Sequence, residues 1–179
     1  QQYGASFNVQ VGENWAYSLG AWVRDMDQLT RYTQERSGVY QYSVASNGDY
    51  GSAKGLDLTI DWRWLLFGSQ FQYTYSVAKT NSEYAWASIS GQYVDAPSQE
   101  NLAYYDRPHD LTYYFYTFLP FVVQAGLTAF YQSGYPYTPI IFKGKDPAED
   151  LRQPNSKRGP SYKNVNMSFS KYFERMDHK

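Results

Sequence analysis

The chain has 179 residues, contains no cysteine and carries a formal net charge of −1. Its length suits a single domain, and the lack of cysteine excludes disulfide bonds and thiolate metal sites. The small net charge gives no electrostatic footprint for binding nucleic acid. Aromatic residues make up 20% of the chain and include 20 tyrosines, whose apolar rings and polar tips suit a membrane–water interface.

Hydropathy excludes a membrane-spanning helix. The mean hydropathy is −0.65, and no stretch approaches the roughly 18 consecutive apolar residues that such a helix requires. A membrane β-barrel stays compatible with this composition, because only every second residue of its strands contacts lipid.

The chain begins with strict alternation of apolar and polar residues. Apolar positions run from Tyr3 to Val11 and, after a tight turn at residues 12–14, from Trp15 to Val23. A period of two predicts half-buried strands, so we predict a hairpin formed by residues 2–11 and 15–24. A long polar and glycine-rich loop is expected over residues 25–53.

The same alternation predicts five further strands, at residues 54–64, 69–79, 109–118, 122–132 and 162–173. Tight turns join the third strand to the fourth and the fifth to the sixth. Long polar loops are expected at residues 80–108 and 133–161. Antiparallel strands with short turns on one side and long loops on the other are typical of an outer-membrane β-barrel, with periplasmic turns and extracellular loops.

Each predicted strand has an apolar and a polar face. We expect the following residues to share the outward, lipid-facing side: Leu56, Leu58, Ile60, Phe71, Tyr73, Val123, Leu127 and Phe169. The opposite, luminal side is predicted to hold Gln70, Gln72, Thr74 and Gln124. In a soluble barrel the apolar face would fill the interior. Here the polar face is rich in Gln, Asn, Ser and Thr, which favours a hydrated lumen.

Strand direction predicts that the chain is a piece of a larger barrel. The first strand would start at the extracellular side and the seventh would end at the periplasmic side, whereas a complete barrel usually has an even strand count. The C-terminus also lacks the aromatic residue that such barrels commonly carry. An open sheet would leave unpaired edges in lipid, so further strands are expected.

Five segments resemble, in order, segments of the TonB-dependent outer-membrane receptors: residues 47–57 (NGDYGSAKGLD), 71–78 (FQYTYSVA), 105–111 (YDRPHDL), 133–139 (SGYPYTP) and 158–171 (RGPSYKNVNMSFSK). One departure is Asn166, where the family usually has an aspartate. The resemblance implies an antiparallel transmembrane barrel of about 22 strands, of which residues 1–179 would be seven strands from the C-terminal half, without the plug domain.

The resemblance also implies a function and a location. A receptor of this family lies in the bacterial outer membrane and imports a scarce nutrient: a siderophore, vitamin, glycan or peptide. Its partners would be outer-membrane lipid, the extracellular nutrient and the inner-membrane TonB complex, which it would contact through the missing plug. It would be a transporter and not an enzyme, and no cofactor is implied.

Aromatic residues in the long loops are the candidates for binding the nutrient. Aromatic rings give large, stiff contact areas that stack on sugars, chelate rings or peptide side chains. The alternative is that these residues pack the loops against one another. The candidate substrate-binding residues are Tyr84, Trp86, Tyr93, Tyr135 and Tyr137.

Three other groups have structural interpretations. Asp106 and Arg107 are expected to pair as a lock at the barrel rim, since no positioned nucleophile and base accompany them. The acidic segment at residues 146–150 lacks EF-hand spacing and is expected to be a solvated loop, so no metal site is predicted. Tryptophans at the turn side are expected to form an interfacial aromatic girdle, namely Trp15, Trp62 and Trp64.

Two other classes of protein fit the sequence. A small outer-membrane barrel of about eight strands, with an anchoring or adhesive role, would fit the length. A secreted soluble β-protein could bind glycans through its aromatic residues. Dependence on detergent for solubility would separate the soluble class from both membrane classes.

Overall fold

The computed structural model describes residues 1–81, 100–143, 146–150, 152–171 and 173. Within these residues the regular structure is entirely β-strand, with no helix. The strands are β1 (Gln2–Val11), β2 (Trp15–Ser37), β3 (Tyr40–Trp64), β4 (Phe67–Thr80), β5 (Asn101–Leu102), β6 (His109–Leu119), β7 (Val123–Gln132), β8 (Pro136–Tyr137), β9 (Ile140–Lys143), β10 (Asp146–Glu149), β11 (Lys157–Arg158) and β12 (Tyr162–Lys171).

Seven long strands form one antiparallel sheet in the order β1-β2-β3-β4-β6-β7-β12, and the short β5 pairs with β4. Two small antiparallel pairs, β9 with β10 and β8 with β11, lie within the connection between β7 and β12. Seven long strands paired in sequence order confirm the prediction from alternation. The tight turns after β1, β3 and β6 all lie at one end of this main sheet, which we call the turn end; the opposite end is the loop end.

The prediction of a loop at residues 25–53 is wrong. β2 and β3 continue through it as a hairpin that closes at Gly38, whose φ is 62°. The register shifts between Met26 and Thr30, and Gln28 in this bulge has a φ of 59°, the left-handed conformation that one type of bulge uses. The segment is rich in Tyr, Thr and Val, which favour strands, but its faces are both polar, so the alternation that marks the other strands is lost.

The register places the predicted apolar set on one face of the main sheet. Directly opposed residues share a face, and one such row runs Phe7, Leu19, Leu58, Tyr73, Leu111, Tyr131. The neighbouring row on the other face runs Asn8, Ser18, Thr59, Gln72, Thr112, Phe130. The partition of the apolar set from Gln70, Gln72, Thr74 and Gln124 is confirmed. We call the two sides the apolar face and the polar face.

The main sheet is a single layer. Among the described residues, Ala103 is the one hydrophobic residue that is fully buried, whereas Phe7 is 69% exposed and Phe169 is 72% exposed. β1 and β12 each pair with one described strand, so each leaves an edge. The described part of the chain therefore covers neither its apolar face nor its outer edges.

Candidate functional site

Hydrogen bonds between neighbouring strands organise the polar face. Thr74 Oγ1 on β4 donates to Asp57 Oδ1 on β3 at 2.7 Å, and Gln132 Nε2 on β7 donates to Asp110 Oδ2 on β6 at 2.7 Å. Gln70 Nε2 donates to Asp61 Oδ1 at 2.8 Å in the same way. Each carboxylate thus has a donor on the adjacent strand, which fixes these side chains and keeps the face hydrophilic.

A cavity of about 400 Å³ lies on the polar face towards the loop end. Its volume is in the range of small-molecule sites, which combine apolar walls with a few polar groups. It is lined by Gln2, Trp22, Arg24, Met26, Ala53, Asp57 and Tyr105. We call it the polar-face cavity.

Trp22 provides the aromatic wall of the polar-face cavity. A Cβ added at Gly55 would lie 2.6 Å from Trp22 Cζ2, so the indole rests on the backbone of β3 where only glycine fits. Beside it, Arg24 donates from Nε and Nη2 to Gln2 Oε1 at 3.1 and 2.8 Å. Ring surface and planar hydrogen-bonding groups therefore meet in one cavity.

The segment that carries Tyr105 into this cavity is fixed by a buried carboxylate. Asp106 is 1% exposed; its Oδ1 accepts from the backbone N–H of Ala78 at 2.6 Å, and its Oδ2 pairs with Arg158 Nη2. Arg158 also donates from Nη1 to the backbone oxygens of Asp106 at 3.0 Å and Gly134 at 3.3 Å. One charge pair thus ties the end of β4, the segment before β6 and β11 together.

The expected pairing of Asp106 with Arg107 is therefore corrected. Arg107 donates instead from Nη1 to Gln132 Oε1, and its guanidinium carbon lies 3.8 Å from the centroid of the Tyr135 ring. The reason is the path of the connection after β7. This connection brings Arg158 to the buried carboxylate of Asp106, whereas the side chain of Arg107 extends to the end of β7. Both arginines hold the loop end, but with different partners.

None of the candidate loop aromatics is found among the residues that line the polar-face cavity. Tyr84, Trp86 and Tyr93 lie outside the described residues. Tyr135 is 53% exposed and Tyr137 is 49% exposed, and neither lines the cavity. Of the five predicted residues, the two that the structure describes therefore do not contribute to this cavity.

The sequence interpretation missed Trp22, Arg24 and Tyr105 as site residues. One signal was present. Trp22 alternates with the apolar residues of β2, so this large aromatic side chain lies on the polar face of the strand. Tyr105 carried no such signal, because its position depends on the contacts of Asp106 with β4 and β11.

Aromatic rings follow the turn end of the apolar face across four strands. The ring centroids of Trp15 and Trp62 are 5.1 Å apart, those of Trp62 and Phe67 are 4.8 Å apart, and those of Phe67 and Phe115 are 6.2 Å apart. Trp64 shares the apolar face with them in the row of Phe67. The expected grouping of these tryptophans at the turn end is confirmed.

The acidic segment at residues 146–150 is not simply solvated. Asp150 is buried, and its Oδ1 accepts from Arg152 Nε at 2.9 Å. This hydrogen bond and the charge of Asp150 raise the pKa of the Arg152 guanidinium. In the described ranges, no three acidic or histidine side chains are grouped so as to hold a metal ion.

The described residues contain no helix that is long and apolar enough to cross a membrane. Comparison with protein-family models, curated proteins and solved structures finds no match to this chain.

Proposed function

We propose that the chain forms part of the outer-membrane β-barrel of a TonB-dependent receptor that imports a scarce nutrient, such as a siderophore, vitamin, glycan or peptide. The observation that carries the proposal is the main sheet itself. One face is mainly apolar across all seven long strands, with lysines near its ends, and the other is mainly polar and hydrogen-bonded between strands. Lipid on one side and a hydrated lumen on the other would satisfy both faces.

The height of the apolar face supports a membrane position. At about 3.4 Å per residue, the ten steps from Lys54 to Trp64 along β3 cover about 34 Å. With a strand tilt of about 40°, this corresponds to about 26 Å across the bilayer, close to the apolar band of about 25 Å in outer-membrane barrels. Aromatic rings mark the turn end, and Tyr75 with His109 marks the loop end at a centroid distance of 5.3 Å.

A soluble protein would need a further layer of structure over the apolar face, and the described residues do not contain one. In a soluble β-sandwich a second sheet would cover the apolar face at about 10 Å, and no described element does so. Closure with further strands would pair the free edges of β1 and β12, which a bilayer requires. In the proposed receptor, residues 1–179 are therefore one part of a larger barrel.

The polar-face cavity is the proposed place of nutrient contact within the lumen. Trp22 and Tyr105 would supply ring surface, and Arg24 would supply hydrogen-bond donors beyond those used on Gln2. The loop aromatics Tyr135 and Tyr137 stay proposed contacts at the outer surface. Energy would reach the receptor from the inner-membrane TonB complex through a plug domain.

Single cysteines provide a direct test, because residues 1–179 contain none and any cysteine elsewhere in the full-length protein can be replaced by serine. Leu58 and Thr59 are adjacent in β3 and lie on opposite faces. In the full-length protein reconstituted in vesicles, a fluorophore on Leu58→Cys should be quenched by brominated lipid, whereas one on Thr59→Cys should be quenched by aqueous iodide. A soluble protein would show iodide quenching without lipid quenching at either site, and that result would overturn the proposal.

A further inference from the structure

Two aromatic rings on the polar face each lie on a glycine of a neighbouring strand. Trp22 on β2 is directly opposed to Gly55 on β3, and a Cβ added at Gly55 would lie 2.6 Å from its ring. Tyr116 on β6 is directly opposed to Gly68 on β4, and a Cβ added at Gly68 would lie 2.5 Å from its ring. Each ring therefore covers bare backbone and leaves the rest of its surface on the polar face. We call Trp22 over Gly55 the loop-end platform and Tyr116 over Gly68 the turn-end platform.

The strand on the other side of each ring also has a glycine at the opposed position. Gly4 on β1 is opposed to Trp22, and Gly126 on β7 is opposed to Tyr116. Glycine within a strand often marks a place where a ligand or another backbone approaches closely. Neither ring has an opposed side chain that would cover it, so a flat ligand can reach both rings.

A donor and an acceptor flank the loop-end platform. Arg24 lies one row nearer the loop end than Trp22, Asp57 lies one row nearer the turn end, and all three line the polar-face cavity. Gln2 accepts from Nε and Nη2 of Arg24, whereas a guanidinium has five N–H donors in all. Asp57 Oδ1 accepts from Thr74, and a carboxylate has further acceptor sites. Sugar hydroxyls both donate and accept, so a pyranose stacked on the indole would bind both groups.

The charges and the backbone favour a neutral sugar over the other nutrient classes. Arg24 and Asp57 are the charged groups among the described lining residues of the cavity, and their charges offset, so an anionic chelate meets no excess of positive charge. Extended peptides are often bound by main-chain hydrogen bonds at an open sheet edge. Trp22 and Gly55 instead lie within the main sheet, with a paired strand on each side. A sugar requires neither feature, because it binds through ring faces and side-chain hydrogen bonds.

Two more rings extend the turn-end platform along β6. Tyr114 and Phe118 lie on the same face as Tyr116, and their ring centroids are 6.0 and 6.1 Å from that of Tyr116. They are 43% and 49% exposed. The residue opposed to Gly55 is Ser76, eight residues along β4 from the glycine of the turn-end platform, which corresponds to about 27 Å. The two platforms therefore lie near opposite ends of the polar face.

We propose that the polar face binds a neutral oligosaccharide at these two platforms. One pyranose stacks on Trp22, with its hydroxyl groups at Arg24 and Asp57, and the turn-end platform receives the sugar as it leaves the lumen. The proposal rests on the proposed function: it narrows the nutrient to a glycan and adds a second contact site at the turn end. Aromatic rings suit both places because they give large, stiff contact areas.

Titration calorimetry of the full-length receptor in detergent tests the loop-end platform. The probes are neutral hexasaccharides of α-linked glucose, β-linked glucose, mannose, galactose and xylose, with a hexapeptide and a ferric hydroxamate chelate for comparison. At least one hexasaccharide should bind, and the peptide and the chelate should not. Trp22→Leu should weaken sugar binding about fivefold, whereas Trp22→Phe retains a ring and should weaken it less than about twofold.

Two further variants accompany this titration. Trp62→Leu is the matched control, because Trp62 lies on the apolar face, and it should bind the sugar like the wild type. If Trp22→Leu accumulates poorly, Arg24→Gln should still weaken binding about threefold, since it removes hydrogen-bond donors at an exposed position.

Uptake of the bound hexasaccharide by cells tests the turn-end platform. Tyr116→Leu should lower the maximal uptake rate about threefold and leave the half-saturating concentration unchanged, because the sugar reaches this ring after it has bound at the loop end. Tyr116→Phe keeps the ring and should match the wild type. Tyr113→Leu is the matched control, since Tyr113 lies on the apolar face of the same strand. All rates are normalised to the amount of receptor in the outer membrane.

Absence of binding by every hexasaccharide, or equal losses in Trp22→Leu and Trp62→Leu, would overturn the glycan site. Binding of the peptide or the chelate that Trp22→Leu abolishes would assign the cavity to that class of nutrient instead. Equal maximal rates in Tyr116→Leu and Tyr113→Leu would overturn the turn-end site. Failure of the proposed function is recognised separately, because the fluorophore on Leu58→Cys would then not be quenched by brominated lipid.

Discussion

The two faces of the main sheet share one backbone but are organised by different interactions. On the polar face, side chains of neighbouring strands are joined by hydrogen bonds, such as Thr74 to Asp57 and Gln70 to Asp61. On the apolar face, neighbouring strands meet through rings, such as Trp15 with Trp62 at the turn end. A side-chain hydrogen bond also joins two strands on this face, between Tyr73 Oη and His109 Nδ1 at 2.7 Å, and it lies towards the loop end.

This difference indicates what each face requires from its surroundings. Three carboxylates of the polar face already have partners on neighbouring strands, so water can enter without disrupting them. The other face exposes large apolar side chains over its whole height, and such a continuous patch needs lipid or another protein surface. Four substitutions test this comparison.

The largest effect is expected for an arginine on the apolar face. Leu58→Arg, near the middle of that face, should lower the free energy of unfolding by about 2–4 kcal/mol, the cost of arginine at the midplane of a membrane barrel. Thr59→Arg is the control on the polar face and should cost much less. Unfolding of the full-length protein by urea in lipid vesicles measures both. Equal losses would mean that both faces meet the same surroundings.

The sequence predicted this contrast because a strand has a fixed period of two. Once Leu58 faces one side, Thr59 must face the other, and pairing extends the partition across the sheet. The same logic failed at residues 25–53. There both faces are polar, so a strand and a loop have similar patterns, and only the pairing of β2 with β3 distinguishes them.

Contacts between segments that are distant in the chain could not be predicted from the sequence. Asp106 was expected to pair with its neighbour Arg107, but its partner Arg158 is 52 residues away. The choice depends on how the connection after β7 folds back on the end of β4, which no local spacing encodes. Tyr105 enters the polar-face cavity for the same reason. The sequence could therefore indicate Trp22 on the polar face, but not the cavity that Trp22 forms with Tyr105.

A smaller effect is expected from removing one hydrogen bond of the polar face. Thr74→Val keeps the shape of the side chain but removes the donor to Asp57, and should cost about 1–2 kcal/mol because the acceptor is charged. Thr59→Val is the matched control, since Thr59 lies on the same face and no side-chain hydrogen bond is found for it among the described residues. The same urea titration applies. An equal loss in both variants would show that the face is merely hydrophilic.

The aromatic row predicts a comparable or smaller loss on the apolar face. Trp62→Leu retains an apolar side chain but removes the ring contacts with Trp15 and Phe67, and should cost about 0.5–1.5 kcal/mol. Leucine suits lipid as well as tryptophan does in the middle of the membrane but not at its interface. The midpoint of thermal unfolding in vesicles should therefore fall without loss of membrane insertion. An unchanged midpoint would mean that the ring contacts contribute nothing.

The smallest effect on stability, but the largest on function, is expected for the tryptophan of the other face. Trp22→Leu should change the free energy of unfolding by no more than about 0.5 kcal/mol, as is usual for substitutions outside a core. Its ring is a wall of the polar-face cavity, so the nutrient concentration for half-maximal uptake should rise about two- to tenfold.

Trp62→Leu is the matched control for this change, because it replaces the same side chain on the apolar face. Its half-saturating concentration should equal that of the wild type, even though it is the less stable variant. The measurement is uptake by cells that depend on this receptor for the nutrient, normalised to the amount of receptor in the outer membrane. If uptake by Trp22→Leu falls only in step with receptor abundance, the indole serves to pack against Gly55, and the cavity is not where the nutrient binds.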